Sequence, residues 1–401
     1  MYSFSLEIGE SMKKKNVLMV HNFYQIGGGE HTVFNNEVEL LKNNGHKVIT
    51  YTRDNKEINN SLLKKMLLPL TTIWSFKTYF DIKKAIKNEE IDIVHCHNTF
   101  PLISPSVYYA ARKMKVPVVQ TIHNFRFLCP NGLFYRNNKI CEKCLINNNF
   151  KEAIKSKCYR NSKIQTIVVA NMLKIHRLLG TYKKINYIFL TEFNKNKFSK
   201  LIDINRDNIF IKPNFVENKN SINRKSNLNK TFIYMGRLDD NKGIKQLIDF
   251  WSNIKDYELH VYGDGKYMEY ISQKSMVNSN IKYFGFQNQS IIFDDLINSL
   301  GLIIPSTCYE GFPMTLAESF SYGVPVLSNN VGNHASIIKS SNAGCLFNIN
   351  DEDSFKLNLN KMVENNNKYS INALNYYNNF LSSKNNYKEL ISIYEKAKYI
   401  K

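Results

Sequence analysis

The feature that most constrains this chain is its alternation of short apolar runs with amphipathic stretches. Ten runs predict strands, at residues 16–21, 46–51, 91–96, 116–122 and 186–191 in one half and 231–236, 257–263, 280–285, 302–306 and 324–329 in the other. Helical periodicity between several of these runs predicts helices that cover parallel sheets. Two such series predict an α/β fold with two Rossmann-like, doubly wound parallel-sheet domains.

The length and one polar stretch predict where the domains begin and end. A chain of 401 residues is too long for one ordinary hydrophobic core. Residues 212–230 are rich in Asn and Lys and poor in apolar anchors, so we predict a linker there. The predicted domains are then 13–211 and 231–375. We further predict a disordered extension over 1–12 and a C-terminal helical segment over 376–401.

Positive charge is concentrated in the first half of the chain. Residues 1–200 hold 32 Lys and Arg against 14 Asp and Glu, whereas the remainder holds 22 against 20. Nucleic acid, an anionic membrane surface and a phosphate-bearing substrate would each suit this field. A general Lys and Asn bias in composition is the alternative explanation.

Residues 61–87 mix Leu, Met, Trp and Phe with lysines. Such a stretch either lies on an anionic bilayer or packs on its own sheet. No apolar run approaches the roughly 20 residues that cross a bilayer, and we recognise no secretion signal. We therefore expect a cytoplasmic protein that is peripheral at the inner face of the cell membrane.

Two turns that follow predicted strands could hold an anion. Gly27, Gly28 and Gly29 stand between the first strand and the first helix, where glycine permits close approach to a ligand and a helix N-terminus offers free amides. Arg237 and Lys242 follow the first strand of the second half, and two such cations suit a diphosphate. A tight turn and a solvated turn are the respective alternatives.

The stretch YEGFPMTLAESF places two glutamates in different settings. We predict a helix over 312–322 with Pro313 in its first turn, which leaves the amides of residues 314–316 free for an anion. Glu310 would precede this helix, and Glu318 would lie inside it. Carboxylates beside a diphosphate are suited to bind hydroxyl groups. The alternative is that Glu310 complements the helix dipole and Glu318 faces solvent.

Four of the seven cysteines lie in one excursion after residue 123. Cys141 and Cys144 form a Cys-x-x-Cys pair, with Cys129 and Cys158 on either side. This set predicts a structural zinc site, unligated buried thiols or a redox role, and the spacing leaves all three open.

Several motifs in this order resemble the retaining glycosyltransferases of family 4. They are GGGE after the first strand, TIHN after the fourth, GRLDDNKG at the start of the second half and PSTCYEGFPMTLAE near its end. The resemblance covers residues 13–375. Within the family, the sequence is similar to the bacterial branch that builds capsule, O-antigen or exopolysaccharide. It implies the GT-B fold, in which two Rossmann-like domains face each other across a cleft.

The resemblance also implies an activity and residue roles. The enzyme would move a hexose from a nucleotide-diphosphate sugar to a saccharide acceptor, here a lipid-linked and phosphate-bearing one. Arg237 and Lys242 would hold the leaving diphosphate, Glu310 would bind a donor-sugar hydroxyl, and His123 would lie by the reacting carbon. Glu318 would bind the ribose. The full implied donor-binding set is Gly27, Gly28, Gly29, Gly311, Phe312, Met314, Thr315 and Glu318.

The sequence also bears on a metal cofactor and on two functions other than glycosyl transfer. Asp239 and Asp240 are adjacent and do not form Asp-x-Asp, so no metal cofactor is expected for catalysis. A sugar-nucleotide epimerase of the same architecture is the rival enzyme. Nucleic-acid binding is motivated by charge alone, and because the sequence has no helix-turn-helix or basic repeat we expect no nucleic-acid partner.

Overall fold

The structure, a computed structural model, describes residues 13–25, 28–60, 62–217, 224 and 228–400. By contacts these residues form two compact units. One contains the described residues up to Gln120 together with those from Tyr387 onward, and the other is Thr121–Asn386. The predicted extension and residues 218–223 and 225–227 of the predicted linker lie outside the described residues. The domain limits stay predictions.

The first half of the chain supplies eight strands to the described structure. They are β1 Asn16–Phe23, β2 Lys47–Asp54, β3 Ile93–Asn98, β4 Val118–Ile122, β5 Tyr135–Arg136, β6 Lys139–Ile140, β7 Asn186–Phe189 and β8 Ile209–Ile211. Six of them form a parallel sheet in the order β2-β1-β3-β4-β7-β8. Strands β5 and β6 form a separate antiparallel hairpin.

The second half forms another six-stranded parallel sheet. Its strands are β9 Thr231–Met235, β10 Glu258–Tyr262, β11 Ile281–Gly285, β12 Gly301–Ile304, β13 Val326–Asn329 and β14 Gly344–Phe347. Their order is β11-β10-β9-β12-β13-β14. All ten predicted strands are present, and the predicted α/β class with two parallel sheets is confirmed. Strands β8 and β14 and the hairpin were not predicted.

Helices alternate with these strands. In the first half they are α1 Gly29–Asn43, α2 Leu62–Ile73, α3 Phe76–Asn88, α4 Ser106–Lys113, α5 Lys143–Ile146, α6 Lys151–Lys155, α7 Lys163–Leu178 and α8 Glu192–Lys197. In the second they are α9 Ile244–Trp251, α10 Met268–Val277, α11 Gln289–Asn298, α12 Met314–Ser321, α13 Gly332–Ser341, α14 Glu352–Glu364, α15 Asn366–Tyr376 and α16 Ser383–Lys396. Within the described ranges, no helix combines the length and the apolar character needed to cross a bilayer.

The second sheet is buried on both faces, and this decides where a polar site can form. Phe232 packs in one core with Trp251, whereas the next residue, Ile233, packs in a different core with Phe320. Successive residues of a strand point to opposite faces, so an apolar run without alternation is what a doubly covered strand needs. The loops at the carboxyl ends of the strands are the usual place for ligand contacts in such a sheet.

One glycine in these loops holds helix α9 against strand β12, and it generates a test. Gly243 has φ 66°, and a Cβ at this position would lie 2.0 Å from the carbonyl oxygen of Pro305. Gly180 has φ 65° with nothing within 4 Å of its Cβ position. We expect Gly180→Ala to cost about 1–2 kcal/mol for its left-handed backbone. Gly243→Ala should cost roughly 1–3 kcal/mol more because of the added contact.

Thermal unfolding of both variants measures this difference. Equal shifts of the melting temperature would show that the backbone of α9 can move away from Pro305 without cost, which would contradict the close approach.

Candidate functional site

Two oppositely charged side chains meet at the carboxyl edge of the second sheet. Lys242 ends a short 3-10 turn that follows β9, and Glu310 lies in the loop after β12. Lys242 Nζ is 2.8 Å from Glu310 Oε1, and the hydroxyl of Ser306 donates to the same oxygen at 2.5 Å. The two side chains keep 22% and 17% of their exposure. The pair is therefore mostly withdrawn from water.

The surroundings of Glu310 keep its carboxylate ionised. Burial disfavours the charged form, but the charges of Lys242 and His334 and the hydrogen bonds from Lys242 and Ser306 outweigh it and lower the pKa of Glu310 to about 2. Burial likewise opposes the charge of Lys242, but Glu310 raises the pKa of that ammonium above its usual value. Each charge is thus stabilised by its partner, and the carboxylate can only accept hydrogen bonds.

A buried asparagine fixes the loop that carries Glu310. Asn333 Nδ2 donates to the carbonyls of Glu310 and Gly311 and to Asn194 Oδ1, and Thr191 Oγ1 donates to Asn333 Oδ1. The amide of Asn194 also donates to the Gly311 carbonyl at 2.8 Å. Sequence reasoning missed Asn333, although its place just after a predicted strand was an available signal. We call this set of hydrogen bonds between Asn333, Asn194, Thr191 and the carbonyls of Glu310 and Gly311 the Asn333 latch. It fixes the backbone from which the Glu310 side chain projects.

His123, predicted from the TIHN motif, lies next to the same loop. A Cβ on Gly311 would stand 1.7 Å from the carbonyl oxygen of His123, so only glycine permits this approach. Three of the residues predicted to be catalytic, His123, Lys242 and Glu310, are therefore brought together. The fourth, Arg237, is 67% exposed and pairs with Asp239 at 3.2 Å.

Glu318 lies on helix α12 in a very different environment. Among the described residues no hydrogen bond or charge is found that shifts the pKa of its carboxyl, and the side chain is only partly exposed. Burial raises the pKa of Glu318 to about 7. The carboxylate is consequently close to half protonated at neutral pH.

Helix α12 itself is shorter than predicted. It begins at Met314, and Pro313 is its N-cap with extended backbone. The amide of Leu316 reaches the Pro313 carbonyl at 3.1 Å, so the prediction of three free amides is wrong for Leu316. The sulfur of Met314 accepts from Asn214 Nδ2 at 3.5 Å.

The other implied donor-binding residues are spread over both units. Phe312 is buried in the core of the second sheet, and Thr315 is partly exposed on the first turn of α12. Gly28 caps α1 with extended backbone and Gly29 is its first residue, in the first unit. Gly27 lies outside the described residues. The role of these glycines toward a donor stays a prediction.

The four clustered cysteines are free thiols that influence one another. Burial and the neighbouring Cys129, Cys158 and Cys141 raise the pKa of Cys144 to about 11. Cys129 Sγ donates to the side chain of Asn131 at 3.0 Å. The four sulfurs are not among the groups of described residues that are close enough together to hold an ion. The zinc site stays a prediction beside the open alternative of unligated thiols.

Three other side chains, Glu37, His95 and His97 of the first unit, do bring their potential ligand atoms within 4.8 Å of one another. Buried Glu37 of α1 has Oε2 3.0 Å from His97 Nε2 and 3.8 Å from His95 Nδ1, and the latter nitrogen is 2.7 Å from the hydroxyl of Tyr394. Sequence reasoning missed this group. Its contacts connect α1 and β3 with α16, which suits a polar network inside a core.

A cavity of about 680 Å³ with a mixed polar and apolar lining opens beside the Glu310 loop. Its wall includes Thr307, whose amide donates to the carbonyl of Asn241 at 3.0 Å, next to Lys242. The hydroxyl of Tyr135, from the β5–β6 hairpin, is 2.9 Å from Thr307 Oγ1. Side-chain amides contribute much of the remaining lining, from Asn138, Gln246, Asn329, Asn330, Asn348 and Asn350.

The ion pair predicts a pH-dependent loss of stability. In Lys242→Met, burial, the largest influence on Glu310, should outweigh the remaining hydrogen bond from Ser306 and raise the pKa of Glu310. Its ionisation would then destabilise the variant above about pH 4.5 instead of stabilising it. We expect a loss of roughly 2–4 kcal/mol at pH 7.5 that shrinks toward pH 5. Lys245→Met, which removes one cation from the exposed pair with Asp249, should cost under about 1 kcal/mol at both pH values. Thermal unfolding at the two pH values tests this, and a loss for Lys242→Met that did not change with pH would contradict it.

The ionisation of Glu318 should affect the stability of the fold in the opposite direction to that of Glu310. Because its pKa in the fold lies above that of an ordinary glutamate, the fold loses stability as the pH rises from about 4.5 to about 7. Gln cannot ionise, so Glu318→Gln should melt at a higher temperature than the parent at pH 8, with a smaller difference at pH 5. A variant less stable at pH 8 would show that the carboxylate has partners that stabilise its charge.

Comparison with known proteins places this geometry among glycosyltransferases. Residues 215–378 match the family model described as glycosyl transferases group 1, and residues 26–151 match the glycosyltransferase family 4 model. The lipopolysaccharide 1,6-galactosyltransferase of Escherichia coli is 34% identical over 142 residues, which span 33% of this chain and 39% of that protein. The UDP-Gal:alpha-D-GlcNAc-diphosphoundecaprenol alpha-1,3-galactosyltransferase of Escherichia coli is 24% identical over 349 residues, 80% of each chain.

Solved structures show the same fold over almost the whole chain. The lipopolysaccharide outer core galactosyltransferase WaaB in its apo form has a TM-score of 0.60 at 18% identity, covering 94% of this chain and 98% of that one. Anabaena HepE in complex with UDP has a TM-score of 0.63 at 14% identity, with 94% and 98% covered. With both sheets parallel and both family models matched in order, the chain carries the two domains of a glycosyltransferase of the group 1 and family 4 types in the GT-B fold.

Proposed function

We propose that the protein is a retaining glycosyltransferase that moves a hexose from a nucleotide-diphosphate sugar to a lipid-linked saccharide. The product would belong to capsule, O-antigen or exopolysaccharide synthesis. The observation that carries this proposal is a carboxylate held ionised beside an ammonium, in a loop that a buried asparagine fixes. Such a pair offers an acceptor for sugar hydroxyls next to a donor for phosphate oxygens.

The cations suit a diphosphate leaving group. Lys242 donates to Glu310 with one of its three N–H bonds and has others left for phosphate oxygens. Arg237 is largely exposed after the same strand, β9, and could add a planar guanidinium. Solved relatives of the same fold include Anabaena HepE with UDP and with UDP-glucose, and we take a nucleotide sugar as the donor here.

The proposed reaction needs no covalent protein intermediate. The bond between the anomeric carbon and the diphosphate oxygen breaks, and the acceptor hydroxyl forms a new bond to that carbon from the same face. Its proton passes to the leaving diphosphate. Lys242 and Arg237 would stabilise the negative charge that develops on the leaving oxygen, while Glu310 and His123 would hold sugar hydroxyls in position.

Glu318 would bind the nucleoside. Burial is the only influence found on the pKa of its carboxyl, which is partly open to solvent, and two ribose hydroxyls could donate to it. With its pKa near 7, nucleotide binding would strengthen as the pH rises through that value. The two glutamates therefore divide the donor between them, Glu310 taking the sugar and Glu318 the ribose.

The acceptor side rests on the cavity and on a relative. A cavity next to Thr307 with six side-chain amides and several aromatic and apolar residues in its lining suits the hydroxyl groups and the ring faces of a saccharide. One relative, by its name, extends a GlcNAc linked through a diphosphate to undecaprenol. We propose a lipid-linked, phosphate-bearing acceptor of that general class for this chain.

A membrane-bound acceptor would place the enzyme at an anionic membrane surface. Within residues 61–87, helices α2 and α3 expose large apolar side chains, namely Met66, Leu67, Leu70, Phe76 and Phe80. The first half of the chain is also strongly basic. We propose a cytoplasmic, peripheral location at the inner face of the cell membrane. The epimerase and nucleic-acid alternatives find no support among the relatives.

The division of labour between the glutamates gives the decisive test. At pH 7.5, Glu318→Ala should weaken the binding of UDP about 10- to 100-fold, the loss expected for hydrogen bonds to a charged group. Glu310→Ala should bind UDP within about threefold of the parent, because the bound diphosphate replaces the carboxylate as the anionic partner of Lys242, yet it should lose most transfer and hydrolysis of UDP-glucose. Calorimetric titration and a UDP-release assay measure the two effects. GDP and ADP with their glucose esters serve as alternative probes.

Glu364→Ala is the matched control, because Glu364 is an exposed glutamate of α14. It should leave binding and turnover unchanged. Parent-like behaviour of both Glu310→Ala and Glu318→Ala would contradict the proposed function, and exchanged phenotypes would contradict the assigned roles.

A further inference from the structure

A groove of about 500 Å³ lies in the first unit, which does not contain Lys242 or Glu310. It is formed at the start of helix α3 and the end of helix α4, with Tyr399 of the C-terminal segment in its lining. The side chains that matter are Trp74, Tyr79, Tyr109, Arg112, Lys113 and Lys115.

One side of the groove is aromatic. The ring of Trp74 packs edge-on against Tyr109 at 5.0 Å and lies 5.7 Å from Tyr79. The guanidinium of Arg112 lies 5.1 Å over the Tyr109 ring. The rings therefore hold both the shape of the groove and the position of one of its cations.

The other side is positively charged without compensation. Arg112, Lys113 and Lys115 lie within four consecutive residues, and none of them is in the ion pairs found among the residues that the structure describes. Lys113 and Lys115 are exposed. Three cations so close together repel one another in the free protein, and an anion between them would relieve that repulsion.

The aromatic side continues into an exposed apolar surface. Phe76 lies 6.1 Å from Trp74 and is 70% exposed, and Phe80 lies 5.4 Å from Tyr79 and is 61% exposed. Met66 and Leu70 of α2 are 77% and 68% exposed. The surface thus passes from large apolar side chains through Trp and Tyr rings to basic residues. Proteins present this order of side chains to the boundary between lipid tails and headgroups.

We propose that this groove binds the phosphate headgroup of an anionic membrane lipid, while Phe76 and Phe80 enter the acyl region. The assignment rests on the membrane association proposed above and names its site. Charge complementarity selects a phosphate, and the adjoining apolar side chains select a lipid over a soluble phosphate compound.

Tryptophan fluorescence gives a direct test, because the chain has two tryptophans and Trp251 is fully buried. Vesicles of phosphatidylcholine with 30% phosphatidylglycerol, and vesicles of phosphatidylcholine alone, should carry brominated acyl chains that quench a ring near the membrane. We expect quenching of Trp74 by the anionic vesicles at ~150 mM salt and little by the neutral ones. Trp74→Phe should abolish the quenching.

Charge variants separate the groove from general attraction. Lys113→Ala/Lys115→Ala should weaken binding to anionic vesicles about thirtyfold, at roughly 1 kcal/mol per cation near the surface. Lys13→Ala/Lys56→Ala makes the same change of charge at exposed lysines outside the groove and outside residues 61–87 and should weaken it less than about threefold. Circular dichroism confirms that each variant is folded.

The outcomes distinguish the two proposals. Absence of parent binding to anionic vesicles overturns both the membrane association and the headgroup site, without touching the donor chemistry. Parent binding that both double variants weaken equally overturns the groove and leaves the association standing. A spectral change of Trp74 with inorganic phosphate, but not with vesicles, would assign the groove to a soluble phosphate, and binding of a nucleic-acid or protein partner in place of vesicles would likewise overturn the lipid assignment.

Discussion

The ion pair between Lys242 and Glu310 is the interaction on which the rest of the site depends. Burial opposes the charge on both side chains, and each remains charged because the other is 2.8 Å away. Such a pair contributes little net stability compared with an apolar pair of the same size. Under the proposed function, the pair keeps a hydrogen-bond acceptor and a cation together at the carboxyl edge of the sheet.

The two glutamates of one motif have opposite pKa shifts because their environments differ. Glu310 is ionised, and its Oε1 accepts hydrogen bonds from Lys242 and Ser306, whereas Glu318 has a pKa near 7 that burial alone raises. Groups of the same chemical type are commonly tuned apart in this way when they serve different parts of a ligand. Asn333 completes the arrangement, because it holds the carbonyls of Glu310 and Gly311 and thereby fixes one of the two glutamates.

The sheets could be predicted from the sequence because buried parallel strands need unbroken apolar runs. Once the strands were placed, the loops at their carboxyl ends could be predicted as well. Those loops contain Lys242, Glu310 and the TIHN segment. The latch could not be predicted in this way, since Asn333 and Asn194 are 139 residues apart and meet only in the folded chain. Strand β8 has only three residues, too few for a clear pattern.

Some of the missed features did have a local signal. The β5–β6 hairpin turns at Asn137 and Asn138, both with positive φ, and Asn is favoured in such turns. The start of α12 was placed two residues early, because proline suits both the N-cap boundary and the first helical turn. The groove of the first unit depends on rings from α3 and α4 that only tertiary packing brings together.

A crystal structure of the protein with bound UDP tests the central claim most directly. The account predicts diphosphate oxygens within hydrogen-bond distance of Lys242 Nζ and the guanidinium of Arg237, with the ribose hydroxyls on the Glu318 carboxylate. Density for the diphosphate away from Lys242, or a ribose that does not contact Glu318, would contradict it.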